Sequence, residues 1–283
     1  MKPLLLFIAA FLFSVHMAYG QKDGLYFDKK YYECENKWVA LPQKEGENTY
    51  IYGFVYLDGT AGYTFDVQGN FSVNNGKFSK DTTQRESSLK YRLPKRYALL
   101  AILPDSALKQ MALPKEPDWL KIYREGEDNT DRLVNKGFLL NDVEASAEAI
   151  PVLLKAYAKD PHYKGLEFEL AFAYNATEQY TKAIEVLKNA LSVDPENFMF
   201  YRELGYSYLH TKNATEAEKL YTKGISISKD DDQSAEMAFN MAGHYHGLKD
   251  KVNFAKWAAT AKKYMKDTSP IKPYLEKMET ELK

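Results

Sequence analysis

Ala149, Ala183 and Ala217 stand 34 residues apart, and Gly137, Ala171 and Gly205 keep the same step twelve positions earlier in each period. Pro161 and Pro195 repeat it again. A fixed period of this length builds an array in which each unit buries its apolar face only against its neighbours. Small side chains must recur where backbones approach closely, and larger ones fill the gaps between neighbouring elements. The C-terminal half is therefore expected as a stacked repeat array, and the rest of the chain has to be read around it.

The clearest unit has Tyr201, Leu204, Gly205 and Tyr208, then Ala217 and Tyr221. Before it run Leu170, Ala171, Tyr174, Tyr180, Ala183, Leu187, Ala190 and Pro195, and earlier still Leu133, Gly137, Leu140, Ala149, Leu153, Ala156 and Pro161. A last set, Phe239, Ala242, Gly243, Ala255 and Ala259, is displaced by four inserted residues around Asp230 to Gln233. This order of residues resembles the tetratricopeptide repeat. Its units fall at about 130–163, 164–197, 198–231 and 236–269, together the segment 130–269. The resemblance implies an α-helical superhelix whose concave face is lined by the first helix of each pair. Pro151 should kink the second helix of the first unit or delay its start. Tyr274, Leu275, Met278 and Leu282 lie at helical spacing, so 270–283 is expected as a capping helix.

Between Tyr31 and Leu103 the period changes to two. Ile51, Val55 and Leu57 alternate with Tyr50, Tyr52, Phe54 and Tyr56, so both faces of that strand want cover. Tyr63, Phe65 and Val67 alternate again, Asn75-Gly76 is a hairpin turn, and Asp58 to Gly62 reads as a connection between strands rather than a phosphate loop. Residues 21–104 are thus expected as a small antiparallel β sandwich or roll, giving an α+β chain. Pro104, Pro114 and Pro117 mark 105–129 as a connector with one or two short helical turns.

The start of the chain is an address. Lys2, the apolar run Leu4 to Phe13 and the small residues Ala18 and Gly20 form a secretory signal peptide over 1–20, too short in its apolar core to span a bilayer. Cleavage near Gly20 makes the protein exported, periplasmic or extracellular, with no membrane span in the mature chain. One Cys excludes an internal disulfide, and Cys34 reads as a small buried hydrophobe. A formal net charge of -1 argues against nucleic acid as a partner, and 22 Tyr with 15 Phe exclude low-complexity disorder.

Catalytic motifs are missing: the sequence has no HExxH, GxSxG, P-loop or paired CxxC. His244 and His246, two apart on a helix, point away from each other and make no metal face. Asp230, Asp231 and Asp232 lack the glycine and distal Glu of a calcium loop. No cofactor, metal or catalytic residue is therefore assigned.

Family analogy puts the second, fifth, ninth and twelfth positions of each unit in the groove. These positions include Phe138 and Asn141; Phe168, Phe172 and Asn175; Arg202 and Tyr206; Asn240 and His244. Aromatic anchors among amides suit a protein or peptide partner, although Phe168 and Phe172 could equally be core. Arg202 alone has the character of a carboxylate clamp, so an apolar segment fits better. The expected function is a non-enzymatic adaptor binding another cell-envelope protein. Two rivals stand: a carbohydrate-binding module using exposed Tyr50, Tyr52 and Tyr56 rings, and an enzyme with a site in the strand domain outside the known motifs.

Overall fold

A computed structural model describes residues 19–81 and 89–282. The segment 1–20, expected as a signal peptide, lies outside the described residues except for its last two. The chain divides between Ala145 and Ser146 into two compact units.

The first unit begins with β1 (Tyr19–Lys22) and β2 (Leu25–Phe27), paired as an antiparallel ribbon. A 3-10 turn at Tyr31–Cys34 leads into β3 (Lys37–Ala40), β4 (Tyr50–Asp58), β5 (Gly62–Asn74), β6 (Lys77–Lys80), β7 (Leu89–Arg92) and β8 (Ala101–Ile102). These six form one antiparallel sheet in the order β6-β5-β4-β3-β8, with β7 beside the first half of β5. The result is a half-barrel. Its turns follow the sequence signals: Asp58 Oδ1 accepts from the backbone N–H of Thr60 and Ala61 at 2.8 and 2.9 Å, and Asn75 and Gly76 adopt positive φ, as a tight hairpin demands.

Helices α1 (Asp105–Gln110), α2 (Leu120–Arg124) and α3 (Thr130–Asp142) complete this unit. The stretch 105–129, expected as a connector, closes one face of the sheet: Ala107, Met111 and Leu120 are buried in one cluster with Leu25, Phe27, Trp38, Tyr50, Tyr52, Phe54 and Tyr56. Trp38 Nε1 donates to the Pro114 carbonyl at 2.8 Å. The Lys90 ammonium lies over the rings of Trp119, Tyr123 and Tyr56 at 4.6, 5.4 and 5.6 Å, pinning β7 to the same cover. This overturns the carbohydrate platform. It required open tyrosine faces, and Tyr50, Tyr52 and Tyr56 are 1%, 5% and 1% exposed because the proline-rich segment supplies the apolar cover that the face wants.

Cys34 is fully buried, and burial pushes its thiol up to about 12. The thiolate is the reactive form, so iodoacetamide should leave Cys34 unlabelled in the native protein at pH 8 and alkylate it fully in urea. Labelling of the folded chain, read by mass spectrometry, would contradict that burial.

The second unit is helical throughout: α4 (Ser146–Lys159), α5 (Leu166–Ala176), α6 (Tyr180–Val193), α7 (Phe198–His210), α8 (Ala214–Ile227), α9 (Asp231–Gly247), α10 (Lys251–Tyr264) and α11 (Lys272–Glu281). Each helix packs on the next from α4 to α10, while α5 touches α7 and α7 touches α9, so these three form one layer. Ala183, Leu187 and Ala190, and then Ala217 and Tyr221, are buried at the expected positions. Gly205 is required by the approach of the Tyr221 ring, which would lie 2.5 Å from a Cβ. Helix α4 runs unbroken through Pro151; its missing N–H frees the Ala147 carbonyl, and both residues are exposed to water. In α11, Leu275 is buried and Met278 and Leu282 pack on the α9–α10 cluster, whereas Tyr274 faces solvent.

The turns inside the helix pairs record the repeat in backbone form. Glu144, Glu178 and Lys212 have φ of 63, 60 and 62°, and Lys249 has 57°. The first three are one period apart. The last step is longer because Asp230 to Gln233 cap and open α9, which has 17 residues against 13 in α7. Within the last unit the register differs by one residue from that read in the sequence. Ala255 and Ala259 are exposed, whereas Phe254 and Ala258 are buried at 4% and 2%.

Candidate functional site

The layer of first helices carries an unusual load of buried polar groups. Glu169, Asn175, Arg202, Glu203 and Ser207 are all nine-tenths or more buried. Arg202 and Glu203 are sequence neighbours on α7, and the guanidinium folds back on the carboxylate, with Nη2 and Nε at 2.7 and 3.0 Å from Glu203 Oε1. Nη1 reaches across to α9, donating to Gln233 Oε1 and lying 3.7 Å from Glu236 Oε2. Toward α5, Asn175 Nδ2 donates to both the carbonyl and Oε2 of Glu203 at 3.1 and 3.0 Å, and Ser207 Oγ donates to Asn175 Oδ1 at 2.7 Å. The guanidinium also stands 5.4 Å from the centre of the Phe168 ring.

This network ties α5, α7 and α9 together. Two carboxylates face one guanidinium, so Arg202 has its charge already engaged. Burial pushes the Glu236 carboxyl above its usual value, with Glu203 and Asp230 adding to the effect and Arg202 opposing it.

One turn further along α5 and α7 the character changes. Phe172 and Tyr206, one period apart, are half-buried. Phe172 lies 6.3 Å from Phe168, and Tyr206 leans on His210 at 4.3 Å, with Tyr180 stacked on the imidazole at 4.6 Å and 6.4 Å from Tyr206. Burial lowers the His210 pKa and pushes Tyr206 well above the usual tyrosine value, so at neutral pH both present uncharged rings. Tyr180 and His210 are not among the groove positions expected from the sequence; Tyr180 fits the repeat pattern as a second-helix residue, and nothing in its spacing shows that it turns toward α7.

The remaining sequence-derived positions are spread out. Asn240 donates to the Tyr221 hydroxyl at 3.4 Å and so faces α8, and the His244 ring meets Tyr245 edge-on at 5.3 Å. Phe138 and Asn141 sit on α3 in the first unit, half-buried and buried respectively. His246 is 3.0 Å from Glu281. Of the acidic run, Asp230 caps α9 and Asp232 pairs with Lys266 at 2.9 Å. Among the described residues no cluster of His, Cys, Asp or Glu is arranged to hold a metal, and no helix is long and apolar enough to cross a membrane.

A TPR repeat family matches residues 171–211, and a tetratricopeptide repeat family matches 200–231. No curated protein matches the sequence. Among solved structures, the crystal structure of MamA is 20% identical over 56% of this chain and 87% of that one, with a TM-score of 0.44. MamA from Desulfovibrio magneticus is 16% identical over 52% and 81%, with a TM-score of 0.45. A thermophilic TPR protein in Thermus thermophilus is 16% identical over 62% and 90%, with a TM-score of 0.49. The helix pairs, their recurring left-handed turns and the family matches together identify tetratricopeptide repeats over residues 171–231 of a chain that also carries an N-terminal β region.

Proposed function

We propose that the protein is an exported, non-enzymatic adaptor that holds an apolar segment of another cell-envelope protein against the first-helix layer of its repeats. The observation that carries this reading is the pair Phe172 and Tyr206, rings repeated at one period and left half-open beside a polar network that is already satisfied. Partly open aromatic rings on a rigid frame supply apolar anchoring at low entropic cost. The engagement of Arg202 by Glu203, Gln233 and Glu236 speaks against a carboxylate clamp. Export rests on the composition of residues 1–20, and cleavage after Gly20 would leave Gln21 and Lys22 of β1.

The test is capture of partners from the native envelope by in-cell crosslinking and mass spectrometry. The double variant Phe172→Ala/Tyr206→Ala should recover its main partner at least about ten-fold less than wild type, since truncating two anchors exceeds the loss of one typical hot spot. Its far-UV spectrum should be unchanged. Equal recovery by the variant, or no reproducible partner for the wild type, removes the proposal.

A further inference from the structure

The first unit contains a pocket of about 200 Å³ walled by the 3-10 turn, the start of β5, the end of β7 with the loop after it, and the last turns of α3. Two of its polar groups are unspent. The Arg92 guanidinium has no hydrogen bond or ion pair among the described residues, and the same holds for the hydroxyl of Tyr31, a side chain only 4% exposed. By contrast Lys95 and Asp142 satisfy each other at 2.6 Å, and the Tyr63 hydroxyl donates to Glu35 at 3.2 Å. With that pair cancelled, the pocket keeps one net positive charge, on Arg92. The other walls are the apolar side chains of Leu93, Pro94, Leu139 and Val143 and the two tyrosine rings, which lie 5.4 Å apart.

We infer that this pocket is a binding site for a small monocarboxylate with a short apolar tail, held by Arg92 and the Tyr31 hydroxyl. Guanidinium and carboxylate match as a planar two-point pair, and a pocket-lining hydroxyl with no partner among the described residues is a donor open to an acceptor. One net positive charge suits a monoanion; a dianion such as phosphate would bring an uncompensated charge against apolar walls. The volume is that of roughly seven waters at ~30 Å³ each, below the range of drug-sized sites, which limits the tail to a few carbons. Burial, with Asp142 adding to it, pushes the Tyr31 hydroxyl up to about 12, so it keeps its proton to donate throughout the neutral range. The lining holds no histidine, cysteine or serine, and the site reads as one that binds rather than one that reacts. This inference is independent of the partner groove.

The experiment titrates the full chain with hexanoate, hexanol, hexylamine and inorganic phosphate, using calorimetry and ligand-observed NMR. Hexanoate should bind saturably, with hexanol and hexylamine at least about ten-fold weaker, the scale of one lost charged hydrogen bond, and phosphate weaker still. Arg92→Gln should weaken hexanoate by about ten-fold or more without altering the fold, because the guanidinium it removes has no partner among the described residues. Tyr31→Phe, which keeps the ring and deletes only the hydroxyl, should weaken hexanoate several-fold and leave the affinity for hexanol unchanged. Absence of hexanoate binding, hexanol binding as tightly as hexanoate, phosphate binding more tightly, or wild-type affinity in both variants overturns the assignment.

Discussion

Gly53→Ala should destabilise the β unit by about 3 kcal/mol or more, the upper end of what overpacking does in a closed core. Gly53 lies on β4 opposite Val67, where β5 carries the extra residue Gln68 and the ladder shifts register. A Cβ there would stand 2.2 Å from the Asp66 carbonyl oxygen and 2.7 Å from the Phe65 ring. The first neighbour is backbone in the middle of the sheet and the second is a fully buried ring, so neither can retreat without breaking cross-strand pairing. The control is Gly247→Ala at the end of α9, where nothing lies within 4 Å of the added carbon, and the change should be neutral or raise stability by up to ~1 kcal/mol through helix propensity. Scanning calorimetry of the two variants decides the point. A Gly53→Ala protein whose transition moves no more than that of Gly247→Ala would mean that the β4–β5 contact is looser than the structure has it.

The repeat was legible because its cause is local volume. Small residues recur where helices touch, and that leaves a period in the sequence. The backbone turns between paired helices were not legible. They need a left-handed residue, and this chain puts Glu144, Glu178, Lys212 and Lys249 there, none of them a type that favours positive φ. The slip in the last unit has a similar origin. Counting 37 residues from Ala217 and Tyr221 reaches Phe254 and Ala258, so the small and large residues have exchanged places while the packed volume is kept. An alignment that follows alanines lands one position late, on the exposed Ala255 and Ala259. The same step carries Arg202 and Tyr206 to Phe239 and Gly243 rather than to Asn240 and His244; Asn240 turns toward α8, and His244 meets Tyr245 of its own helix.

In the β unit the alternation of β4 announced two covered faces but not what covers them. The tyrosine face was open to a sugar-binding reading until Trp119, Tyr123 and Met111 were seen against it. Those residues come from a segment whose prolines mark it as irregular, and irregular segments carry no period from which their packing can be read. The Arg92 pocket escaped for a related reason: its lining is drawn from four separate stretches of chain, and no spacing links them.

Arg202→Met should be among the most damaging substitutions in the repeats, at about 3 to 5 kcal/mol, because removing one partner of a buried ion pair strands the other. Methionine keeps much of the packing on Phe168, so the loss isolates the charge. What remains is the buried Glu203 and the half-buried Glu236, with no guanidinium between them. The damage should depend on pH with a definite sign. Burial already holds the Glu236 pKa above its unfolded value, and Arg202 is the group that pulls it down. In the variant that pKa rises further, so the folded state binds more protons than the unfolded state over a wider window above the normal carboxylate value. Stability then falls as pH rises through that window, and the deficit relative to wild type is larger at pH 7.5 than at pH 5. Replacing the second charge as well, in Arg202→Met/Glu203→Gln, should recover part of the loss, since an uncharged amide can still accept from Asn175. Urea unfolding at both pH values provides the comparison. A deficit equal at pH 5 and 7.5 would show that the variant suffers only from lost packing, and that the carboxylates flanking Arg202 are not the charges it restrains.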